Sequence, residues 1–432
     1  MTIVNVVDAP CGYGKTSWAI QYMSLADTGY HRFIFVTPFV KEVGRVKEIV
    51  TNRTFFEPVT DKTGMTKLED LHRLLGEGKD IATTHALFKL ANAETRELIR
   101  INNYTLILDE VMDVIEQVPL KKNSLDLLLS GNTIEIVPDD NGLKYIRWMD
   151  DKKGWDTDYN YLKSMALSGN LMFCDSSALI WNMPCEMFKL FEEVYILTYL
   201  FKGQLQRYYY DLHGIKYRYL SVFKDESGYS LEPYTDRRIN DKSHLQELVS
   251  VYEGHLNSVG DKTTALSTSW FEKATNKELV TSLKRNTYNY LTNYCKAKIS
   301  TSLWTVVKGN NDRIKKMVMP RGFKDAFIPM TMRATNDYID KHHLVYLMNR
   351  FMNPIEKKFF EQYGVSVQQD TWAISELIQW VWRSRIRTGQ SIQIYIPSRR
   401  MRDLFHRYLT TNYFETPPEN AIIDEPPTDW NI

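Results

Sequence analysis

Through roughly the first 200 residues, short apolar runs alternate with amphipathic stretches, the pattern of a parallel sheet covered by helices. The runs Ile3 to Val7, Arg32 to Val36, Tyr104 to Leu108, Leu171 to Cys174 and Val194 to Leu197 are predicted strands, most of them rich in β-branched or aromatic residues. Polar residues follow these runs directly, at the edge where open α/β sheets bind ligands. Between the second and third runs, a loop at Pro58 to Gly64 precedes a helix expected from Lys67. From Leu120 to Gly169 the alternation breaks. Thr133 to Val137 and Leu143 to Trp148 flank Asp139-Asp140-Asn141-Gly142 as a hairpin-like piece, read as an insertion packed on the first domain.

A second cycle of strands and helices starts near Gly203. Its predicted strands are Tyr217 to Val222, Thr263 to Leu266, Ser302 to Val306, Ala326 to Ile328, Leu344 to Leu347 and Ile392 to Ile396. The expected division is therefore a first α/β domain over residues 1–202, with its insertion at about 120–169, and a second of similar size over 203–410. Residues 411–432 form the tail. From Glu415 onward it holds five acids, no Lys or Arg and two Pro-Pro pairs, a composition that disfavours a packed core.

Composition narrows the class. With 432 residues, 43% hydrophobic and 25% charged, the chain reads as a soluble globular protein of more than one domain. A net charge of +1 gives no global field for nucleic acid, so any such contact is local. Two stretches qualify. Ten Lys/Arg stand between Lys284 and Lys324 against one acid, Asp312, and seven arginines between Arg383 and Arg407 against Asp403. The cysteines Cys11, Cys174, Cys185 and Cys295 show neither a C-x-x-C pair nor zinc-ligand spacing, which fits reduced thiols in a cytosol. No leader-type start and no 18-residue apolar run is present, so secretion and membrane spanning are not expected.

The chemistry begins after the first strand. Ala9-Pro-Cys-Gly12-Tyr13-Gly14-Lys15-Thr16 joins a strand to a helix, and its two glycines let consecutive amides turn toward phosphate oxygens. Lys15 adds a point charge for the β- and γ-phosphates and Thr16 a hydroxyl for Mg²⁺. The helix that begins there, with Ser17 in its first turn, presents its positive end. After the third strand, Asp109 and Glu110 supply the complementary acids. Asp109 is placed to hold Mg²⁺ largely through water, and Glu110 to polarise the water that attacks the γ-phosphate.

The loop carries Ala9 where a first glycine is usual, and in this it resembles the first motif of superfamily 2 helicases more than that of kinases or small GTPases. Further stretches resemble that family's motifs in order. Thr37-Pro38 and Thr84-His85 resemble the first domain's strand contacts, and Ser176-Ser177-Ala178 the motif that couples hydrolysis to motion. Ser267-Thr268 and Thr335-Asn336 resemble the strand contacts of the second domain. Gln379-Trp-Val-Trp-Arg383-Ser-Arg385-Ile-Arg387 resembles the last helicase motif, in which a glutamine and spaced arginines on one helix reach the nucleotide. Arg383 keeps the family's spacing from Gln379, and the arginine finger falls to Arg385 or Arg387. The resemblance, to DEAD/DEAH-related helicases of the kind bacteriophages encode, spans about Ile3 to Arg407.

The resemblance implies an α/β fold of two tandem RecA-like domains with mostly parallel sheets, and ATP with Mg²⁺ bound in the cleft between them. It implies a monomer acting on single-stranded or branched nucleic acid, taken as DNA, together with replication or recombination proteins. The expected setting is a cytoplasm, the host's if the chain is phage-encoded. Two other readings share parts of the pattern. A DNA-packaging motor needs clustered nuclease acids where the second half carries arginines, and a nucleotide switch on a nucleic-acid scaffold does not need Glu110.

Overall fold

Val4, Val6 and Val7 of the first apolar run and Phe33 to Val36 of the second are all buried, as strands covered on both faces require. The computed structural model describes residues 2–61, 64–175, 178–234, 242–308, 312–330 and 337–423. It divides into two compact units. Unit 1 holds Met1–Tyr234, Asn353–Val367 and Pro417–Ile432, and unit 2 holds Thr235–Met352 and Gln368–Thr416.

In chain order the strands of unit 1 are β1 Val4–Asp8, β2 Arg32–Thr37, β3 Phe55–Phe56, β4 Asp80–Thr84, β5 Tyr104–Asp109, β6 Ile115–Val118, β7 Ile134–Pro138 and β8 Lys144–Trp148. They continue with β9 Leu171–Cys174, β10 Ala178–Asn182, β11 Glu193–Thr198, β12 Tyr217–Asp225 and β13 Gly228–Pro233. The main sheet runs β13-β12-β1-β11-β5-β2-β4-β3 and is parallel apart from the β12/β13 hairpin. The helix Lys15–Leu25 buries Trp18, Ala19 and Met23 against one face, where they meet Phe33, Phe35, Ile107, Tyr195 and Leu197. The helix expected from Lys67 spans Lys67–Gly76, and Thr66 and Glu69 close a capping box at its start.

Unit 2 carries β14 Val249–Val251, β15 Ser302–Val306, β16 His343–Leu347 and β17 Ile392–Tyr395. They form a parallel sheet in the order β14-β17-β16-β15. The α/β class with mostly parallel sheets is thus observed. Among the described residues no helix is long and apolar enough to cross a membrane.

Several expectations are corrected. Tyr217 to Val222 does not open a second domain: β12 pairs with β1, so the main sheet extends past the boundary expected at residue 202. Leu171 to Cys174 is a strand but not a parallel one. It joins the antiparallel sheet β6-β10-β9-β8-β7, which widens the interrupted region to Ile115–Asn182. A run of four apolar residues carries no information on strand direction. Thr263 to Leu266 is a turn with Leu266 at φ 65°, tied down by the Asn349 amide on the Thr263 and Ala265 carbonyls at 2.7 and 3.1 Å. Ala326 to Ile328 makes only a single bridge, Phe327 to Trp304. Part of the acidic tail is also paired: Tyr219 donates its amide to the Ile422 carbonyl at 2.9 Å, and Ile422 donates to Tyr217 at 3.0 Å.

The glutamine-arginine segment is not one helix either. The helix Gln369–Val381 stops before the arginines, and Arg385–Thr388 forms a separate 3₁₀ turn. The Ser384 hydroxyl bonds back to the Val381 carbonyl at 2.7 Å and its backbone is extended, a local bond that competes with continuation of the helix.

Candidate functional site

At the carboxyl edge of the main sheet, β11 lies between β1 and β5 and ties both of their loops. Ala9 donates its amide to the Thr198 carbonyl at 3.1 Å, and Glu110 donates to the Leu197 carbonyl at 2.9 Å. The loop after β1 therefore sits beside the acids after β5, although the two are far apart in sequence. Gly12 and Gly14 have φ of 89° and 96°, in the left-handed region that glycine alone enters without strain. Gly14 is doubly required, since a Cβ there would lie 2.3 Å from the Tyr229 ring of β13. Gln21 clasps the backbone of Tyr229 through both its amide and its carbonyl, at 2.9 Å each. Tyr13 is exposed at the tip of the loop, and Ser17 is half-buried in the first helical turn.

The Lys15 ammonium donates to the Pro10 carbonyl at 3.0 Å and also to that of Ala9, inside the loop. Thr16 Oγ1 donates to Asp109 Oδ1 at 3.1 Å, while Thr37 Oγ1 approaches Oδ2 at 3.5 Å. Burial pushes the Asp109 carboxyl up to about 7. The neighbouring Glu110 and Glu42 charges act in the same direction, and the Thr16 hydrogen bond and Lys15 oppose them. Glu110 has φ 72°. A left-handed glutamate is a strained exception, and such exceptions cluster at functional sites.

Thr37 is fully buried and turned toward Asp109 at the carboxyl edge of the sheet, not on an outer strand-contact surface. Pro38 beside it is half-buried. Thr84 caps the short helix His85–Phe88 by accepting from the Leu87 amide at 3.4 Å, and His85 opens that helix. In unit 2, Ser267 accepts from the Trp270 amide at 3.3 Å, and Thr268 next to it is exposed. Ser176, Ser177, Thr335 and Asn336 lie outside the described residues. Ala178 does not stand at the main sheet. It opens β10 and pairs with Cys174 in the antiparallel sheet, which removes the geometric basis for a coupling segment there.

What the sequence reading missed is the segment after β11. Asp8 accepts the amides of Leu200 and Phe201 at 2.9 and 2.8 Å, with Leu200 at φ 57°. Gln206 accepts the Met112 amide at 3.0 Å, which ties the chain after Glu110 to the helix Leu205–Leu212. The signal was present: Val194 to Leu197 is a predicted strand, and Thr198 is the polar residue at its end.

Gln379 and the arginines separate. Gln379 lines a cavity of about 490 Å³ beside the carboxyl ends of β15 and β16, with Lys308, Lys315, Arg350 and Glu376. Arg383 is buried and donates to the Pro329 and Met330 carbonyls at 3.2 and 2.9 Å. Arg385 lies at the other end of the sheet, where its amide bonds to the Lys341 carbonyl just before β16 and its guanidinium to the Ser391 carbonyl just before β17. Arg387 is exposed in the same 3₁₀ turn. The expected finger arginines, Arg385 and Arg387, therefore stand at the amino edge of unit 2's parallel sheet, away from the edge where such sheets bind ligands.

Among solved structures, S. tokodaii Xpd4 aligns over 96% of this chain and 95% of its own at 11% identity, with a TM-score of 0.43. The DUF1998 helicase MrfA bound to DNA and AMPPNP aligns over 96% of this chain and 48% of its own at 10% identity, with a TM-score of 0.33. Residues 115–181 match the YonV middle domain, and residues 243–409 match the YonV C-terminal Rossmann-like domain. The chain is 41% identical to the SPbeta prophage-derived uncharacterized protein YonV of Bacillus subtilis (strain 168), over 95% of this chain and 99% of that protein. This chain belongs to the YonV family.

Proposed function

We propose that the chain binds ATP with Mg²⁺ in unit 1, hydrolyses it, and uses the cycle to move along a nucleic-acid strand as a helicase or translocase of the superfamily 2 type, with DNA as the strand. The observation that supports this best is the convergence of Thr16, Asp109 and Glu110, with the Thr16 hydroxyl 3.1 Å from the Asp109 carboxylate. The loop amides and the start of the helix Lys15–Leu25 receive the phosphate oxygens, and Lys15 adds its charge.

Thr16 and Asp109 offer the hard oxygen donors that Mg²⁺ takes alongside water and phosphate. Their pairing with each other fits that use. Bound Mg²⁺ supplies neutralisation of the charge on the β- and γ-oxygens. Glu110 orients a water on the γ-phosphorus and accepts its proton. The new P–O bond forms as the β,γ-bridging P–O bond breaks, ADP leaves, and the proton passes from Glu110 to phosphate or solvent.

Coupling in this reading runs through β11. A shift of the phosphate loop or of Glu110 pulls on the Thr198 and Leu197 carbonyls, then on Leu200 and Phe201 held by Asp8, and on the Gln206 contact to Met112. The test is ATP turnover with single-stranded DNA, duplex DNA, forked DNA and RNA in parallel. Stimulation by single-stranded or forked DNA is expected. Turnover that no strand stimulates removes the translocase, and absence of turnover removes the ATPase.

A further inference from the structure

The two basic stretches of unit 2 are used differently. Between Arg383 and Arg407 the arginines other than the exposed Arg387 are engaged within the unit. Arg383 holds the Pro329 and Met330 carbonyls, Arg400 pairs with Asp370 at 2.6 Å, Arg402 with Glu253 at 3.1 Å, and Arg399 lies 3.9 Å from Asp403. The ten cations between Lys284 and Lys324 make no ion pair among the described residues, and nine of them are exposed. The exception, Lys315, is half-buried with its ammonium 4.0 Å from the centre of the Phe327 ring.

Lys308 and Lys315 line the cavity beside Gln379, and packing between short elements gathers others of the set. The helix Lys277–Asn289 packs on the helix Arg313–Val318, and the turn Ile299–Thr301 packs on the turn Lys324–Ala326. The two turns border β15, the edge strand of unit 2's sheet. On the longer helix, Lys277, Thr281, Lys284 and Tyr288 are exposed at spacings of four, three and four residues, one face of a helix, with Arg285 beside them. Thirteen residues of helix extend about 20 Å, enough to lie along several phosphates of a strand. Tyr294, also exposed, stands elsewhere, against Tyr252 after β14 and the buried Tyr290. Acids on or beside this surface include Glu278, Asp312, Asp325 and Asp340, the last paired with the Lys341 that caps the Ser300 carbonyl.

We propose that this face of unit 2 is a docking surface for single-stranded nucleic acid, with Lys284, Arg285, Lys316 and Arg321 meeting phosphates and Tyr288 meeting a base. Unneutralised cations beside an exposed aromatic ring are what a strand recognises without regard to sequence. In a chain of net charge +1 their gathering on one face is the charge complement of a polyanion. The surface extends the proposed strand movement by naming a contact. It rests on that reading only for its use, since its charge and exposure belong to unit 2 alone.

The test is the anisotropy of a labelled single-stranded DNA oligonucleotide, titrated with full-length protein without nucleotide over a series of salt concentrations. The variant Lys284→Gln, Arg285→Gln, Lys316→Gln, Arg321→Gln is compared with Lys67→Gln, Lys121→Gln, Lys122→Gln, Lys216→Gln, an equal charge change at exposed lysines of unit 1. The first should bind at least about 10-fold more weakly, with a log–log salt slope shallower by about 2 to 3, given about 0.7 per phosphate contact on a single strand. The second should stay within about twofold of wild type. The charge-keeping variant Lys284→Arg, Arg285→Lys, Lys316→Arg, Arg321→Lys should bind as wild type does, which separates lost charge from a damaged fold. Equal weakening in both neutralised variants, an unchanged slope in the first, or no oligonucleotide binding by the wild type would overturn the proposal. ATP turnover plays no part in the readout, so its presence or absence bears only on the hydrolysis reading.

Discussion

The Thr16 hydroxyl donates to Asp109 Oδ1 at 3.1 Å, joining two residues 93 positions apart at the carboxyl edge of one parallel sheet. In the proposed ATPase these two side chains would hold Mg²⁺, Asp109 largely through water. Thr16→Ala and Asp109→Asn should each lower ATP turnover by about 100-fold or more, the scale on which positioned charge and metal-holding groups act. Thr16→Ser keeps the hydroxyl and should retain most of the turnover. Steady-state kinetics with varied Mg²⁺ check this, and equal loss in the serine and alanine variants would point to packing instead.

Gly14 is fixed by two separate constraints, its φ of 96° and the Tyr229 ring, which a Cβ would meet at 2.3 Å. Gly14→Ala should weaken nucleotide binding by about 10-fold or more, because left-handed backbone costs a residue with a side chain about 1–2 kcal/mol and the contact adds to it. Removing the ring in Gly14→Ala/Tyr229→Ala should restore only part of the affinity, since the backbone term stays. Calorimetric titration with a non-hydrolysable ATP analogue measures both steps, and full recovery in the double variant would show that the ring alone mattered.

The contrast between these two features shows what the sequence reveals. The strand-loop-helix unit from Ile3 onward and the strand ending in Asp109-Glu110 are legible because local chemistry fixes them: glycines for the turn, a cation and hydroxyl for phosphate, acids after an apolar run. Tyr229 and the segment after β11 are not legible, because their meaning comes from which strands become neighbours. The apolar run Val194 to Leu197 is readable as a strand, yet nothing in it states that it inserts between β1 and β5. Leu171 to Cys174 failed for the same reason in reverse: apolar enough for the main sheet, it pairs antiparallel elsewhere. The arginine segment failed at a helix end, where Ser384 and the carbonyls of Pro329 and Met330 decide the path.

That path separates the arginines by consequence. Arg383→Ala leaves two carbonyls without their charged donor in a buried place and should destabilise the protein by about 1–3 kcal/mol. Arg385→Ala and Arg387→Ala, at the amino edge of the sheet, should leave ATP turnover within about twofold of wild type. Thermal melting and turnover measured on the three variants check both statements. A large loss of turnover in Arg385→Ala or Arg387→Ala, without loss of stability, would return the finger to that turn.

His213 gives unit 1 an acid sensitivity. Its ring lies 3.1 Å from Asn182 Oδ1, and burial, with Lys189 nearby, holds it down at about 4 against an ordinary value of 6.5. Above pH 6.5 the ring is neutral in folded and unfolded chains alike. Between 6.5 and 4 the unfolded chain takes up a proton that the folded chain refuses, so stability falls with pH, and below 4 the loss is complete. His213→Gln keeps an amide donor for Asn182 and cannot titrate. Its Tm should fall less steeply than that of wild type across this window, and parallel curves would remove His213 from the acid response.

The central claim is that Glu110, presented from a left-handed backbone beside Asp109, is the base for ATP hydrolysis. The direct measurement is ATP turnover by Glu110→Gln beside wild type, with ATP-analogue affinity measured on both proteins. The account predicts turnover lowered by about 100-fold or more with analogue affinity within about threefold of wild type. Turnover that survives the substitution would contradict it.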